Sequence, residues 1–352
     1  MKDAMVTRGR QFVAGLGAAV ACAAAVLTPQ EPAPQRPADA GTSKRIDTLI
    51  KQLEIKELRK ETMLELGEVG AVAAPQLDVA IAAEVARPRP EMIDTLCSAR
   101  ARLAIGRTAR AFDLPPEPVT LIADYSDNCV VLVDKAGRRL HEIPDMFGPW
   151  DACFTDAGTI LITEFSVSRV QEVDRKGHVV WEYENLKNPY AAARLPNGNT
   201  LIADAFGARV IEVTPDKKVV WKYDRDIRPF HAARLPDGNT LIADVLQDRV
   251  IEINPAGEIV WQVADMNNVH DAERLANGNT LITLRSAGKV IEVDRRGLVV
   301  WELNGLSSPS DADRLPNGHT LVAENTQVRE FDAGKQVVWR HEMTWAVEAN
   351  RY

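Results

Sequence analysis

The chain has 352 residues, a formal net charge of -8 at pH 7 and 45% hydrophobic residues, which suits one large domain and a smaller second element. The negative charge argues against a nucleic-acid-binding protein, because such a protein needs a basic surface to neutralise phosphates. Beyond the first 28 residues no apolar stretch is long enough to cross a membrane. We therefore expect no nucleic-acid partner and no transmembrane helix in the mature chain.

Residues 1–28 have the composition of an export signal. Basic side chains precede an apolar run that is rich in Ala, Val and Gly: Lys2, Arg8 and Arg10 come before residues 12–27. This order of a charged region and an apolar region is typical of signal peptides. We predict a periplasmic or extracellular protein. Cys22 is a candidate lipid acceptor, which would anchor the protein to a membrane as a lipoprotein.

Residues 29–42 contain four prolines and are predicted to form an extended linker. In residues 43–106 the apolar side chains recur at helical spacing, and we expect Gly67 to end the first helix. Pro75 and Pro90 suit the first turns of two more helices. The stretch from Leu66 to Leu77 resembles a HEAT repeat. One such helix pair cannot bury its own apolar face, so we expect this segment to dock on the rest of the chain or on a partner.

From residue 107 onward the chain repeats a unit of about forty residues. A Thr-Leu-Ile or Thr-Leu-Val segment follows an Asn-Gly or Asp-Gly pair by one residue in four copies. The threonines of these copies are Thr200, Thr240, Thr280 and Thr320. Two weaker copies precede them, around Leu161 and Leu121. Units of this length that form four strands are typical of β-propellers, so we predict an all-β, six-bladed propeller over residues 107–352, preceded by the small helical segment.

Turn signals divide the third copy into strands over residues 191–195, 199–205, 209–214 and 219–223. Asn197 and Gly198 predict a two-residue type I′ turn between the first two strands, because both central positions need positive φ. A tryptophan recurs in the fourth strand and is expected to fill the gap between neighbouring blades. The innermost strand of blade one must come from residues 109–114 or from the C-terminal tail after Trp345. Either strand would close the ring.

A two-residue turn determines which residues of the first two strands lie opposite each other. The predicted opposed pairs are His270 and Arg285, Asp271 and Leu284, His231 and Asp244, Asp151 and Glu164, and Asp311 and Glu324. All of these pairs lie at the ends of the strands that are remote from the hairpin turn. We therefore expect them to surround one mouth of the central channel.

An acid closes the second strand of several blades and is followed five residues later by an arginine, as in Asp204 and Arg209. We interpret this pair as a structural ion pair, with an ion-binding rim as the alternative. Blade five has Leu284 at the acid position and Arg285 beside it. An arginine without its usual acid suits a bidentate oxyanion, unless it pairs with Asp271 or another rim carboxylate.

Other rim residues are weaker candidates. His231 facing Asp244 is a candidate general base or nucleophile, and a single structural hydrogen bond is the alternative. Three aspartates share one ring position, which makes a calcium site conceivable. These aspartates are Asp151, Asp271 and Asp311.

The unit LPNGNTLIAD…RVIEVD…VVW, over about residues 117–341, resembles the repeats of arylsulfotransferase-like propellers and, more distantly, of quinoprotein-like (PQQ-like) propellers. The first resemblance implies that a mouth histidine and an arginine handle a sulfuryl group, with the histidine transiently sulfated. By position, His270 and Arg285 inherit these roles, with His231 as a second histidine. Quinoprotein enzymes generally have eight blades and a defined cofactor floor, so we expect no bound cofactor.

The leading hypothesis is an exported, non-catalytic propeller that binds a small molecule or a protein partner through its channel mouth. A sulfuryl-transferring enzyme that uses a channel histidine and Arg285 is the alternative, and a calcium-dependent hydrolase is a weaker one. The binding hypothesis leads because the catalytic set is incomplete, since Ala272 follows Asp271 where the arylsulfotransferases have a His-x-Asn context.

Overall fold

The computed structural model describes residues 38–86 and 89–352. The predicted export signal, Cys22 and most of the predicted linker lie outside the described residues. The described chain begins with helices and continues as six four-stranded antiparallel sheets. This order confirms the prediction of a six-bladed β-propeller preceded by a short helical segment.

The helical segment contains five α-helices within the described residues. They are α1 (Ala40–Gln52), α2 (Arg59–Val69), α3 (Ala74–Ala86), α4 (Pro90–Ala101) and α5 (Gly106–Ala111). Pro75 and Pro90 lie in the first turns of α3 and α4, as predicted, because proline lacks the amide proton that the first turn leaves unpaired. The prediction that Gly67 ends a helix is wrong. Gly67 lies inside α2, and Gly70, with φ of 70°, ends that helix.

One helical run in the described part of the chain, Lys56–Ala86, has the length and the apolar composition that a membrane span needs. The run comprises α2 and α3 with short 3-10 turns beside them. Its large side chains Leu66, Leu77 and Ile81 are buried, and they pack with residues of α1 and α4 in one apolar cluster. These helices therefore share a core of their own.

The propeller strands follow in chain order. Blade one contains β1 (Val119–Asp124), β2 (Cys129–Asp134) and β3 (Arg139–Ile143). Blade two contains β4 (Pro149–Phe154), β5 (Ile160–Glu164), β6 (Arg169–Val173) and β7 (Val179–Tyr183). Blade three contains β8 (Ala191–Arg194), β9 (Thr200–Asp204), β10 (Arg209–Val213) and β11 (Val219–Tyr223).

Blade four contains β12 (Pro229–Arg234), β13 (Thr240–Asp244), β14 (Arg249–Ile253) and β15 (Ile259–Val263). Blade five contains β16 (Val269–Arg274), β17 (Thr280–Leu284), β18 (Lys289–Val293) and β19 (Val299–Asn304). Blade six contains β20 (Asp311–Arg314), β21 (Thr320–Glu324), β22 (Gln327–Phe331) and β23 (Val337–Glu342). The C-terminal strand β24 (Ala346–Arg351) pairs with β1 and completes blade one. Of the two predicted ways to close the ring, the chain uses the C-terminal tail.

The hairpin between the first two strands of blades two to six has three loop residues, so the predicted two-residue turn is wrong. In blade three, the amide of Leu195 donates to the carbonyl of Asn199, and the amide of Gly198 donates to the carbonyl of Leu195. Gly198 has φ of 85°, the left-handed residue with which such a three-residue loop ends. The extra loop residue shifts the register by one, and Arg194 lies opposite Thr200.

Neighbouring blades are joined by a repeated contact of arginine, tryptophan and glutamate. Arg274, at the end of β16, lies over the ring of Trp261 at 4.6 Å and pairs with Glu252 at 2.8 Å. Equivalent arginines bridge the blade pairs two–three, three–four, five–six and six–one. They are Arg194, Arg234, Arg314 and Arg351. The indole of Trp261 also donates to the carbonyl of Arg295 in the next blade at 2.9 Å. The predicted role of the tryptophans between blades is confirmed.

The junction between blades one and two lacks this contact. Phe154 stands where the other blades have the bridging arginine, and Phe112, which follows α5, packs against it at 5.0 Å between ring centroids. Thr108 of α5 accepts a hydrogen bond from the amide of Gly158 at 3.0 Å. The buried Arg102 donates to the carbonyls of Pro115 and Glu117. The helical segment therefore docks at this junction, where apolar and backbone contacts replace the ion pair.

The crossing of α2 and α5 gives a stability prediction. A Cβ atom on Gly106 would lie 2.9 Å from the backbone C and O atoms of Gly67, so we expect Gly106→Ala to lower the free energy of unfolding by about 1–3 kcal/mol. Alanine by itself favours helix, so the steric contact decides the sign. The measurement is the thermal denaturation midpoint. Gly41→Ala is the control, because its Cβ would meet only the Asp39 carboxylate at 3.3 Å. Equal midpoints for both variants and the parent would contradict the proposed contact.

Candidate functional site at the channel mouth

The structure corrects the predicted opposed pairs at the mouth. The observed pairs are His231 with Ala243, Asp151 with Thr163, Asp271 with Thr283, and Asp311 with Ala323. Leu284 pairs with Val269, and His270 is the extra residue of a β-bulge between Val269 and Asp271. His270 is therefore not opposite Arg285, and His231 is not opposite Asp244. The cause is the third loop residue, since a slip of one position moves every side chain to the other face.

One position of four consecutive blades points an aromatic ring into the mouth, and in blades two, four and five it is the extra residue of a β-bulge. Trp150, Tyr190, Phe230 and His270 occupy equivalent positions at forty-residue steps. Tyr190 stacks on Phe230 at 3.9 Å between centroids, and Trp150 lies 4.5 Å from Tyr190. The rings of Trp150 and His270, which come from opposite blades, approach to 6.3 Å. The four rings therefore span the mouth of the channel.

More rings extend this surface outward. Tyr125 contacts Trp345 at 4.8 Å, and Phe165 lies 5.4 Å from Tyr190 and 6.1 Å from Phe206. We call the continuous set the aromatic floor; its residues are Tyr125, Trp150, Phe165, Tyr190, Phe206, Phe230, His270 and Trp345. Aromatic surfaces of this kind combine a large apolar contact area with few rotatable bonds.

His270 is held in the floor as a neutral imidazole. Its side chain is 7% exposed and contacts the ring of Phe230 at 4.9 Å. Burial, with the charge of Arg285 as a further cause, lowers the pKa of His270 to about 3. No carboxylate of the described residues forms an ion pair with His270, so this imidazole lacks the orienting group that a catalytic histidine usually has.

Arg285 also reaches the mouth, on the side of blade six. Its Nη1 donates to the carbonyl of Ser308 at 3.0 Å and to the hydroxyl of Ser310. The guanidinium lies over the ring of Trp345 at 5.7 Å. The predicted alternative, a pair with Asp271 or another rim carboxylate, is not formed among the described residues. Burial lowers the pKa of Arg285 from its ordinary value, although the group stays cationic at any physiological pH.

The acids that close the second strand are structural, as interpreted from the sequence. Asp244 is fully buried; it accepts from the amide of Arg228 at 3.0 Å and from Nε of Arg249 at 3.0 Å. Glu164 and Asp204 make the same contacts with Arg169 and Arg209. These carboxylates tie the loops of adjacent strands together and do not face the mouth.

Below the aromatic floor, carboxylates line the channel. Asp151 accepts from the amide of Ala192 in the next blade at 2.7 Å, and Asp311 accepts from the amide of Ala349 at 3.1 Å. His231 lies 3.1 Å from Asp271 through Nδ1 and approaches the carbonyl of Ala272 at 3.2 Å. These side chains therefore link the innermost strands of neighbouring blades.

A calcium site at Asp151, Asp271 and Asp311 is not found. Within residues 38–86 and 89–352, no group of three histidine, cysteine, aspartate or glutamate side chains is arranged to hold a metal ion. Asp151 and Asp311 each give one carboxylate oxygen to a backbone amide instead. The calcium-dependent hydrolase therefore has no metal site in the described structure.

Three further acids lie in the same channel and concentrate negative charge. They are Glu273, Asp313 and Glu348. Burial, with repulsion from Asp271 and other neighbours, raises the pKa of Asp313 to about 7. Burial and repulsion from Asp313 raise the pKa of Glu273 to about 8. The pKa values of Asp311 and Glu348 are also raised well above the usual range. The channel therefore retains protons at neutral pH.

Two sets of residues were missed by sequence reasoning although the signal was present. The aromatic residues at 150, 190 and 230 recur forty residues apart, directly before the ring position that was considered. Glu273 and Asp313 likewise follow that position by two residues. When the repeats are aligned at the position of His270 and each hairpin loop is given three residues, both sets of residues fall on the channel.

The fold and the channel place this protein among the PQQ-like β-propellers. A family model described as "Outer membrane protein assembly factor BamB" matches residues 166–341, half of the 352-residue chain. The chain therefore belongs to this family. The comparison with curated proteins gave no match.

Solved structures resemble the propeller at low identity. A protein of unknown function from Bacteroides caccae is 19% identical with a TM-score of 0.58, covering 66% of this chain and 98% of that one. Virginiamycin B lyase from Staphylococcus aureus is 14% identical with a TM-score of 0.50, covering 64% of this chain and 80% of that one. At these identities the likeness shows the fold alone.

The channel does not fit a pyrroloquinoline quinone cofactor. That quinone carries three carboxylates, and the channel presents carboxyl groups of its own from four of the six blades: Asp151, Asp271, Glu273, Asp311, Asp313 and Glu348, with His231 as the neighbouring base. The raised pKa values of these buried acids show that each further negative charge is disfavoured there, and the quinone would add three. We therefore assign no role in the function of this protein to a quinone.

The acidic channel predicts a stability that depends on pH. A carboxyl whose pKa is higher in the folded chain holds a proton that the unfolded chain has released, so the free energy of unfolding falls as the pH rises from about 4 to the folded pKa. For Asp313 that window ends at about 7. Asp313→Asn removes the part of this fall in the free energy of unfolding that Asp313 causes. The stabilising effect of the substitution is therefore expected to grow between pH 5 and pH 8. The measurement is the thermal midpoint, which changes by about 2–4 °C per kcal/mol for a domain of this size.

Glu302→Gln is the matched control for this prediction, because Glu302 is exposed and lies outside the channel. It removes one negative charge without changing the channel. A stabilising effect of Asp313→Asn that is the same at both pH values, or equal to that of Glu302→Gln, would disprove the electrostatic origin.

Proposed function

We propose that this protein is an exported, non-catalytic binding module, whose aromatic floor holds an apolar or aromatic group of its ligand. The observation that carries the proposal is the continuous floor of eight rings at the channel mouth. Rings from opposite blades meet there, so a ligand finds a closed surface on which to stack. Buried aromatic anchors dominate the binding energy of many interfaces.

The surroundings of the floor support a binding surface. Phe147 and Phe206 are 54% and 48% exposed, and Val167 and Leu246 are also exposed in loops at the same end of the blades. Contiguous exposed apolar side chains are uncommon on proteins that bind nothing. The loops that carry them join strand four to strand one, or strand two to strand three.

The histidines favour binding over catalysis. Among the described residues, no carboxylate and no serine, threonine or cysteine hydrogen-bonds to the His270 ring. His231 does have a carboxylate partner in Asp271, but no serine, threonine or cysteine of the described residues hydrogen-bonds to its ring. A histidine base and a nucleophile within hydrogen-bond reach are the usual requirement of covalent catalysis.

Family membership favours a protein partner as the natural ligand. The family model is named for a factor in outer membrane protein assembly, and the predicted export signal would carry this chain into the cell envelope. A partner that presents an apolar or aromatic side chain would use the floor as its pocket. The same floor also suits a small aromatic molecule, which gives a practical probe.

We expect the neutral probe 3-phenylpropionamide to bind saturably to the floor, measured by ligand-observed NMR and by tryptophan fluorescence. Trp150→Leu should weaken this binding about two- to tenfold, because it removes the ring at the centre of the floor and a stacking pair contributes about 0.5–1.5 kcal/mol. Trp221→Leu is the matched control, since Trp221 lies on an outer strand and bonds to the carbonyl of Pro255. No saturable binding, or equal loss in both variants, would refute the site.

The sulfuryl-transfer alternative remains a prediction with its own assay. We expect no transfer from a chromogenic aryl sulfate to a phenolic acceptor above the buffer rate, because His270 lacks an orienting group and Arg285 is anchored to Ser308 and Ser310. Release of nitrophenol measures the reaction. Turnover that is abolished by His270→Ala and by Arg285→Ala would overturn the non-catalytic assignment.

A further inference from the structure

We infer that the ligand held at the aromatic floor also carries a carboxylate, which binds the free edge of the Arg285 guanidinium. This inference rests on the proposed function and names the chemistry of the ligand. It predicts an amphipathic group, with an aromatic or apolar part over the rings and an anion on the side of blades five and six.

The geometry of Arg285 leaves one edge of its guanidinium open. Only Nη1 hydrogen-bonds to protein atoms, the carbonyl of Ser308 and the hydroxyl of Ser310. Nε and Nη2 have no acceptor in the described residues, and neither is among the buried unsatisfied atoms. These two nitrogens form the planar fork that binds a carboxylate bidentately.

Rim arginines of other blades, which stand at the position of Lys289, show how such a fork is occupied. Arg249 gives Nε to Asp244, and Arg329 gives Nε and Nη2 to Glu324. Blade five has Leu284 at the acid position and Lys289 opposite it. In blades one to six, leucine replaces the rim acid at one position only, and Arg285 lies beside that position. A ligand carboxylate would supply the missing acceptor.

The surroundings of Arg285 also suit an anion. The contact of its guanidinium with the Trp345 ring orients the plane of the fork and leaves the positive charge of Arg285 unneutralised. Arg228, which lies over Phe206 at 5.0 Å, is a second guanidinium without an ion pair in the described residues. Both charges act on the Tyr190 hydroxyl, opposing the effect of burial that raises the pKa of Tyr190 to about 12. Two unneutralised cations therefore flank one ring of the floor.

The two parts of the mouth differ in chemistry. Blades one to four supply seven of the eight rings, whereas blades five and six supply Arg285, Ser308 and Ser310 beside His270. An aromatic amide would use the first part only. An aromatic acid of similar size would use both, and hydrogen bonds to a charged group are worth enough to raise affinity by about 10- to 100-fold.

The experiment compares 3-phenylpropionate with its neutral isostere 3-phenylpropionamide. For the parent protein we expect the acid to bind at least about tenfold more tightly than the amide. In Arg285→Gln this ratio should fall to about one, and in Arg285→Lys it should be intermediate, because lysine keeps the charge but loses the fork. Lys289→Gln is the control for loss of a cation on the same blade and should keep the parent ratio.

Two further arms identify the source of the anion. An N-acetylated tetrapeptide that ends in leucine, compared with its C-terminal amide, tests a peptide terminus, and 4-nitrophenyl sulfate tests a sulfate ester. Tighter binding of the sulfate ester than of both carboxylates would overturn the assignment of a carboxylate. Equal binding of acid and amide to the parent would also overturn the inference, while the proposed function would stand. If neither binds, the proposed function itself fails.

Discussion

Each blade from three to six, and the C-terminal strand, is held to the preceding blade by an arginine that stacks on a tryptophan and pairs with a glutamate. Arg234, for example, lies 4.7 Å from the Trp221 ring and 2.9 Å from Glu212. These arginines sit at the hairpin end of the innermost strand. Because this end joins the blades, the innermost strand does not need the same residues at its opposite end in every blade. The residues at that opposite end differ from blade to blade.

The differences at that opposite end define the candidate site. One equivalent position carries Trp150, Tyr190, Phe230 or His270, and the next position carries Asp151, Ala191, His231 or Asp271. The rim acid that closes the second strand pairs with an arginine in blades two, three, four and six. In blade five Leu284 replaces this acid, and Arg285 beside it has an open edge next to the rings. The proposed binding surface thus arises from two local departures within a scaffold whose repeated contacts stay intact.

The repeat period, the strand order and the role of the tryptophans could be predicted from the sequence, because they depend on local turn chemistry that recurs every forty residues. The site could be predicted only in part. His270 and Arg285 do reach the mouth, but not as an opposed pair, since the hairpin loop has three residues and the innermost strand of blade five bulges at His270. Bulges leave no signature in hydrophobic periodicity. The ion pair of His231 with Asp271 also joins neighbouring blades, and no pairing rule within one hairpin could have found it.

Strand β24 has a consequence for biosynthesis. It pairs with β1, so Arg351 lies opposite Thr120 although more than two hundred residues separate them along the chain. Blade one cannot be completed until β24 has left the ribosome, and contacts of such long range slow folding. Helix α5 docks at the seam beside this late-forming blade. Until β24 is in place the edge of β1 is unpaired, so the ring closes only when the chain through Arg351 is available.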